Sequence, residues 1–167
     1  MKKIPLTKGQ FTMVDDADYS EIIKYKWCAC YNVKTKSYYA CRRGKISDRE
    51  RLGKTIYLHR EIMNPVKGFI VDHIDHNTLN NTRLNIRICT NSQNMRNRGK
   101  QSNNTSGYKG VGWNKQDGKW QAQININGKN TGIGRFKCKH EAARAYNLAA
   151  RMYHGEFAYT NIIKEDL

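Results

Sequence analysis

The sequence predicts an α+β fold in two modules, and three observations predict it. Short apolar and aromatic runs separated by turns fill the N-terminal part. From Gly68 to Arg98 a strand, an Asn-rich loop, a second strand and a helix follow one another. Between Tyr108 and Tyr153, three strand-length segments precede one amphipathic helix. Period-two runs bounded by turn residues read as strands, and a stripe at helical spacing reads as a helix packed on one face.

In chain order, Gly9–Val14, Tyr25–Tyr31, Ser37–Arg42 and Thr55–Leu58 are rich in Tyr and β-branched residues and read as strands, with a short helix over Asp16–Lys24. The charged, Gly-containing stretch from Arg42 to Lys54 reads as a mobile hairpin tip. His59–Met63 reads as a turn or two of helix stopped by Asn64-Pro65. Phe69–Val71 is a short buried strand. Asp75–Asn85 is crowded with residues that hydrogen-bond their own backbone in turns. Ile86–Cys89 is a second strand, Thr90 an N-cap, and Asn91–Asn97 a helix.

Asn97–Gly107 has no acidic residue, is polar and is bounded by Gly, so it reads as a linker; with Arg96, its Arg98 and Lys100 are expected to lie along phosphates. Tyr108–Asn114, Lys119–Asn127 and Asn130–Phe136 are three strands. Lys115–Gly118 and Asn127-Gly128 join them, the latter a type I′ hairpin signal. Trp120, Ala122, Ile124 and Ile126 alternate with Gln121, Gln123, Asn125 and Asn127, giving one apolar and one amide-rich face. Ala142, Ala145, Tyr146, Ala149 and Met152 then form a helical stripe ending at Gly155. The domains expected are residues 1–95, a basic linker 96–106, and 107–167.

With 30 Lys and Arg against 14 Asp and Glu, the 167-residue chain carries a formal charge of +16. Such an excess calls for a polyanion, with double-stranded DNA the first candidate. No apolar run approaches the ~20 residues of a spanning helix. Met1-Lys2-Lys3-Ile4-Pro5 lacks the apolar core of a secretion signal, so no membrane association and an intracellular location are expected. The five cysteines are odd in number and scattered, which argues for reduced thiols and against a disulfide framework or a structural zinc.

Asp72-His73 directly follows the buried strand, with Asn85 and Asn94 downstream. A neutral imidazole accepts a proton from water at neutral pH. A carboxylate and an amide oxygen are hard ligands for magnesium or manganese, ions that keep waters and accept phosphate oxygens. That combination suits metal-assisted phosphodiester hydrolysis.

At these residues the chain resembles the His-Asn-His (HNH) nuclease family. Val71-Asp72-His73-Ile74-Asp75-His76-Asn77, Asn85-Ile86-Arg87-Ile88-Cys89-Thr90 and Gln93-Asn94 match the form common in phage and intron-encoded homing endonucleases, where the third signature position is Asn. The resemblance implies a ββα-metal hairpin in which Asp72 and Asn94 hold one divalent ion, Mg2+ with Mn2+ as a substitute, and His73 activates water. Asn85 would brace the loop and orient the base. It also points to a phage or mobile intron, and so to a bacterial host's cytoplasm. Leu58-His59-Arg60 matches a further segment of these nucleases, without an assigned role.

Residues 107–161 resemble the DNA-binding domain of the plant APETALA and ethylene-responsive transcription factors. The match rests on Ser106–Val111, Gly118–Ile124, Gly132–Phe136, Glu141–Tyr146 and Ala149-Ala150. The resemblance implies a sheet laid in the DNA major groove, with Lys109, Trp113, Lys115, Gln123, Asn125 and Asn130 facing it; the register that Trp120 shares with Ile124 and Ile126 places Trp120 in the core. Where the plant proteins carry Arg, this chain has Lys, Gln and Asn, which favour adenine-type contacts.

A site-specific DNA endonuclease acting as a monomer on DNA is therefore expected, a dimer being the alternative for double-strand cleavage. A DNA-binding regulator with an inactive hairpin is the main rival. A structured-RNA binder is a weaker one, because a groove-reading sheet does not suit A-form RNA.

Overall fold

A computed structural model of the chain describes residues 1–44 and 53–163, so most of the hairpin tip expected between Arg42 and Lys54 lies outside the described residues. The chain divides into two compact units, Met1–Asn91 and Ser92–Leu167.

In the first unit β1 (Lys2–Pro5) pairs antiparallel with β2 (Phe11–Val14). Sequence patterning finds β2 but not β1. Only Ile4 of its four residues is buried, and the strand ends in Pro5, so there is no alternation to read. Helix α1 (Asp16–Ile22) has Asp16 and Asp18 in its first turn, where carboxylates favour the helix dipole. The indole Nε1 of Trp27 donates to the Ile22 carbonyl at 2.9 Å, capping one of the oxygens that a helix end leaves without a partner.

Strands β3 (Cys28–Asn32), β4 (Ser37–Arg43) and β5 (Thr55–Tyr57) form an antiparallel sheet in the order β3-β4-β5. The expectation of reduced thiols is corrected here, because Cys30 and Cys41 are joined in a disulfide with Cα atoms 6.1 Å apart. The register places Cys28 opposite Cys41 and Cys30 opposite Tyr39, so the bonded pair is diagonal on one sheet face. Spacing along the chain does not reveal a pairing set by strand register.

Helix α2 (Leu58–Met63) follows β5 without a loop and stops at Asn64, whose φ of 42° is left-handed, just before Pro65. Strands β6 (Ile70–His73) and β7 (Ile86–Cys89) then form a two-stranded antiparallel pair. Ile4, Val14, Ile22, Trp27, Ala40 and Leu58 make the core of this unit.

Helix α3 (Asn91–Asn97) starts at the boundary between the units. Strands β8 (Val111–Asn114), β9 (Lys119–Ile126) and β10 (Lys129–Phe136) form the expected antiparallel sheet, in the order β10-β9-β8. The β9–β10 turn has φ of 51° at Asn127 and 85° at Gly128, as a type I′ turn requires. Helix α4 (Lys139–His154) packs Ala142, Ala143, Tyr146 and Ala150 on Val111, Ala122 and Ile124, and a 3-10 turn (Gly155–Phe157) closes it.

Two features lock this packing. Gly110 has φ of 74°, and a Cβ there would lie 2.1 Å from the Tyr146 ring, so only glycine lets the backbone approach. The Asn147 side chain holds the Asn161 backbone at both ends, its Nδ2 donating to the carbonyl at 2.8 Å and its Oδ1 accepting from the N–H at 2.7 Å. The Asn161 side chain also bonds the backbone of Lys109 at both its N–H and its carbonyl, 2.7 and 3.1 Å.

Among the described residues no helix is long and apolar enough to cross a membrane.

Candidate active site

The Asn-rich loop joining β6 to β7 is built from its own side chains and pinned on three sides. Met13 N–H donates to the Leu79 carbonyl and Asn81 N–H to the Met13 carbonyl, 2.9 and 2.8 Å, which ties the loop to β2. Thr78 Oγ1 donates to the Tyr38 carbonyl on β4. The Arg83 guanidinium grips Asp18 of α1 through two bonds of 2.7 and 2.8 Å, and the Arg83 backbone N–H donates to the Asp15 carboxylate. Held in this way, the loop presents fixed groups to the end of β6.

Asp72 and His73, the last residues of β6, are 8% and 6% exposed. The His73 Nε2 lies 3.0 Å from Asn81 Oδ1. Asn81 Nδ2 donates to Thr12 Oγ1 at 2.7 Å, and Thr12 Oγ1 donates to the Leu79 carbonyl at 2.8 Å. This row has one consistent polarity. A carbonyl only accepts, so the Thr12 hydroxyl gives its hydrogen to Leu79 and takes one from the Asn81 amide. Asn81 Oδ1 is then the acceptor of the His73 Nε2–H, and His73 Nδ1 carries the lone pair. Burial pushes the His73 pKa below its usual value, opposed by the Asn81 bond and by Asp75 and Asp72. The ring is thus a neutral base with Nδ1 as its basic nitrogen.

The expected orienting residue, Asn85, is placed differently. Its Oδ1 accepts from Asp75 N–H at 3.0 Å, and its Nδ2 donates to Asp75 Oδ1 and the Asn80 carbonyl, both at 2.8 Å. Asn85 therefore braces the loop, while Asn81 meets the imidazole. Several Asn residues of this loop look equivalent in sequence, and only the pairing of the loop with β2 singles out Asn81. Asp75 gives its carboxylate to Asn80, Asn77 and Asn85. Partial burial alone would raise its pKa, but these bonds together hold it below the usual carboxylate value.

Asp72 stands opposite Arg87 in the β6–β7 register, and its Oδ2 accepts from Arg87 Nε at 3.1 Å and from a terminal guanidinium nitrogen at 2.9 Å. Sequence reasoning did not single out Arg87, although the hairpin register implies the pair. Asn94, the other expected metal ligand, is half-buried on α3 in the second unit. Among the described residues no three His, Cys, Asp or Glu side chains are grouped to hold a metal.

His59, at the start of α2, adds a second imidazole, with its ring 5.1 Å from that of His73 and nearly perpendicular at 71°. Tyr39 and Tyr57 pack around it, with centroids 5.8 and 5.7 Å away.

In the second unit, Gln123, Asn125 and Asn130 are exposed on the polar face of the sheet, Asn125 opposite Asn130 with a side-chain bond of 3.2 Å. Gly112 and Gly132 lie opposite Gln121 and Gln123 and have nothing within 4 Å of where a Cβ would sit. Lys115 is exposed in the β8–β9 turn, as are Arg98 and Lys100, while Arg96 is half-buried.

Two residues expected to face DNA are placed otherwise. The Lys109 ammonium donates to the carbonyls of Arg96 and Arg98, so it fastens the basic segment to the sheet; burial, with Arg98 nearby, lowers its pKa to about 8. Trp113 stands opposite Trp120, their rings edge to face at 5.1 Å, and so belongs to the face that carries the apolar core. The strand pairing sets that side, and the Trp113 ring remains about half exposed.

Comparison with known proteins agrees with both halves. Residues 64–96 match the family model of the HNH endonucleases, and residues 106–156 match that of the AP2 domain. The chain is 34% identical over 162 residues to an uncharacterised HNH endonuclease of Acanthamoeba polyphaga mimivirus, an alignment covering 93% of this chain and 77% of that one. It is also 34% identical over 92 residues to Protein 3.8 of Escherichia phage T7, covering 55% and 75% of the two chains. A buried Asp-His pair on a β-hairpin, an Asn-braced loop and a helix-backed sheet thus coincide with these matches, and the chain belongs to the HNH endonuclease family, with a DNA-binding AP2 domain following its nuclease segment.

Proposed function

We propose that this chain is a site-specific DNA endonuclease of the homing type that hydrolyses a phosphodiester with His73 as general base. The row Leu79–Thr12–Asn81–His73 carries this reading, since it supplies a neutral imidazole of defined tautomer. His73 Nδ1 takes the proton of an attacking water in line with the scissile bond, and Asn81 steadies the imidazolium that forms. The products carry a 5′ phosphate and a 3′ hydroxyl.

Asp72 and Asn94 would hold one divalent ion, Mg2+ with Mn2+ as substitute. The donor set fits: two hard oxygens leave coordination positions for water and phosphate. Arg87 fixes the plane of the Asp72 carboxylate, as outer partners of metal ligands do. When bound, such an ion supplies positive charge where negative charge develops on the phosphate and the departing 3′ oxygen.

Residues 1–95 would cut, the basic segment 96–106 would follow the backbone through Arg96, Arg98 and Lys100, and residues 107–167 would position the duplex. Lys115, Gln123, Asn125 and Asn130 are the groups proposed to contact DNA, in a monomer making one cut per site. Incubation of supercoiled DNA carrying the gene's flanking sequence with Mg2+, with Mn2+ and with chelator tests this. Metal-dependent nicking is expected. Binding without nicking under every condition would instead support a regulator with an inactive hairpin.

A further inference from the structure

His59 is a buried polar side chain that the proposed reaction does not yet use. It is 8% exposed; among the described residues neither ring nitrogen makes a hydrogen bond, and its ring packs on those of Tyr39, Tyr57 and His73. Burial, helped by the nearby His73 and Arg60, lowers its pKa to about 3, so at neutral pH the ring is uncharged, with one N–H to donate. Neither His59 nitrogen is among the fully enclosed polar atoms left without a partner, so this N–H is open to water and to an incoming group. A chain that holds this imidazole beside its catalytic base is prepared for a partner that arrives with the substrate.

The surroundings favour the scissile phosphate as that partner. A group within reach of both imidazoles sits where the base must find its water. Tyr39 and Tyr57, which pack on His59, also line a cleft of about 460 Å³ with Tyr31, Asn32 and Lys34, where aromatic rings and a cation suit a nucleic-acid strand.

We propose that His59 is a catalytic residue, donating from its neutral ring to a non-bridging oxygen of the phosphate that His73 helps to cleave. This rests on the reading of His73 as general base. The N–H strengthens its bond as negative charge grows on that oxygen, so the effect falls on the rate of the chemical step more than on affinity.

Single-turnover nicking and DNA affinity are measured for His59→Gln and His59→Met, which have nearly the same shape but differ in the donor, and for His59→Phe, which keeps an aromatic ring. The Met and Phe variants are expected to lose about 100-fold in rate with affinity changed less than about 3-fold, and Gln to recover to within about 10-fold of the native chain. A Met or Phe variant as fast as the native chain, or a Gln variant no faster than Met, overturns the proposal. Should the Phe variant fail to fold, the Gln–Met pair alone decides. His73→Ala is run in parallel: full activity in that variant defeats the general-base reading itself, whereas an inactive His73→Ala with a native-like His59→Met removes only the role of His59.

Discussion

His73 Nε2 and Asn81 Oδ1 meet at 3.0 Å inside the first unit, and the Thr12 hydroxyl behind Asn81 determines which of them donates. Asn81→Ala removes the acceptor, so the imidazole loses both its tautomer bias and its orientation. Single-turnover cleavage should fall about 10–100-fold while DNA affinity stays near native, as for other outer-partner losses. Thr12→Val leaves the Asn81 amide without its acceptor and should lower stability by about 1–3 kcal/mol in urea unfolding, with a smaller loss of rate. A native rate in Asn81→Ala would show that the bond does not orient the base.

Stability should depend on pH through His59. Its folded pKa, near 3, lies below the ordinary 6.5, so between those values the unfolded chain binds more protons than the folded one. The contribution from keeping His59 neutral is therefore complete above pH 6.5 and declines as pH falls toward 3. The decline is at most about 1.4 kcal/mol per pH unit. Urea unfolding at pH 7 and pH 4.5 should show a smaller acid loss in His59→Gln than in the native chain; equal losses would contradict the assigned shift.

The second unit depends on two close contacts. Gly110→Ala places a methyl group against the Tyr146 ring and the Gln123 carbonyl, at a left-handed backbone position, and should cost at least about 1–3 kcal/mol. Asn161→Ala removes the bonds its side chain makes to Lys109 and should cost a similar about 1–3 kcal/mol. Thermal melts monitored by near-ultraviolet circular dichroism would check both, and a native melting point for either variant would contradict the packing described.

Opposite Asp72, Arg87→Met leaves a buried carboxylate without its cation, and a loss of about 3–5 kcal/mol is expected from equilibrium unfolding. If metal occupies this carboxylate, Mg2+ added to the variant should restore part of that loss. Indifference to Mg2+ would count against Asp72 as a ligand.

Local patterning made much of the fold legible. Alternation along Lys119–Ile126, the Asn127-Gly128 turn and the alanine stripe of α4 each act within a few residues, and the sheet and helix follow from them. Asp72 and His73 were legible because they adjoin a short apolar strand within a recognisable motif. What was not legible depends on which distant segment lies alongside. Asn81 faces His73 only because the loop is bonded to β2, and Cys30 meets Cys41 only through the β3–β4 register. Lys109 and Trp113 leave the expected DNA face for the same kind of reason: carbonyls of the linker capture one, and pairing with Trp120 sets the side of the other. Strand β1, with a single inward apolar residue, carries too little pattern to be read.

The central claim is that one neutral imidazole, His73, removes the proton from the attacking water. Its most direct test is single-turnover nicking of cognate duplex by native chain and by His73→Ala at saturating Mg2+, with DNA affinity measured alongside. The account predicts cleavage reduced by about 100-fold or more at unchanged affinity. Cleavage by the Ala variant at the native rate, or a loss of cleavage that merely tracks a loss of binding, would contradict it.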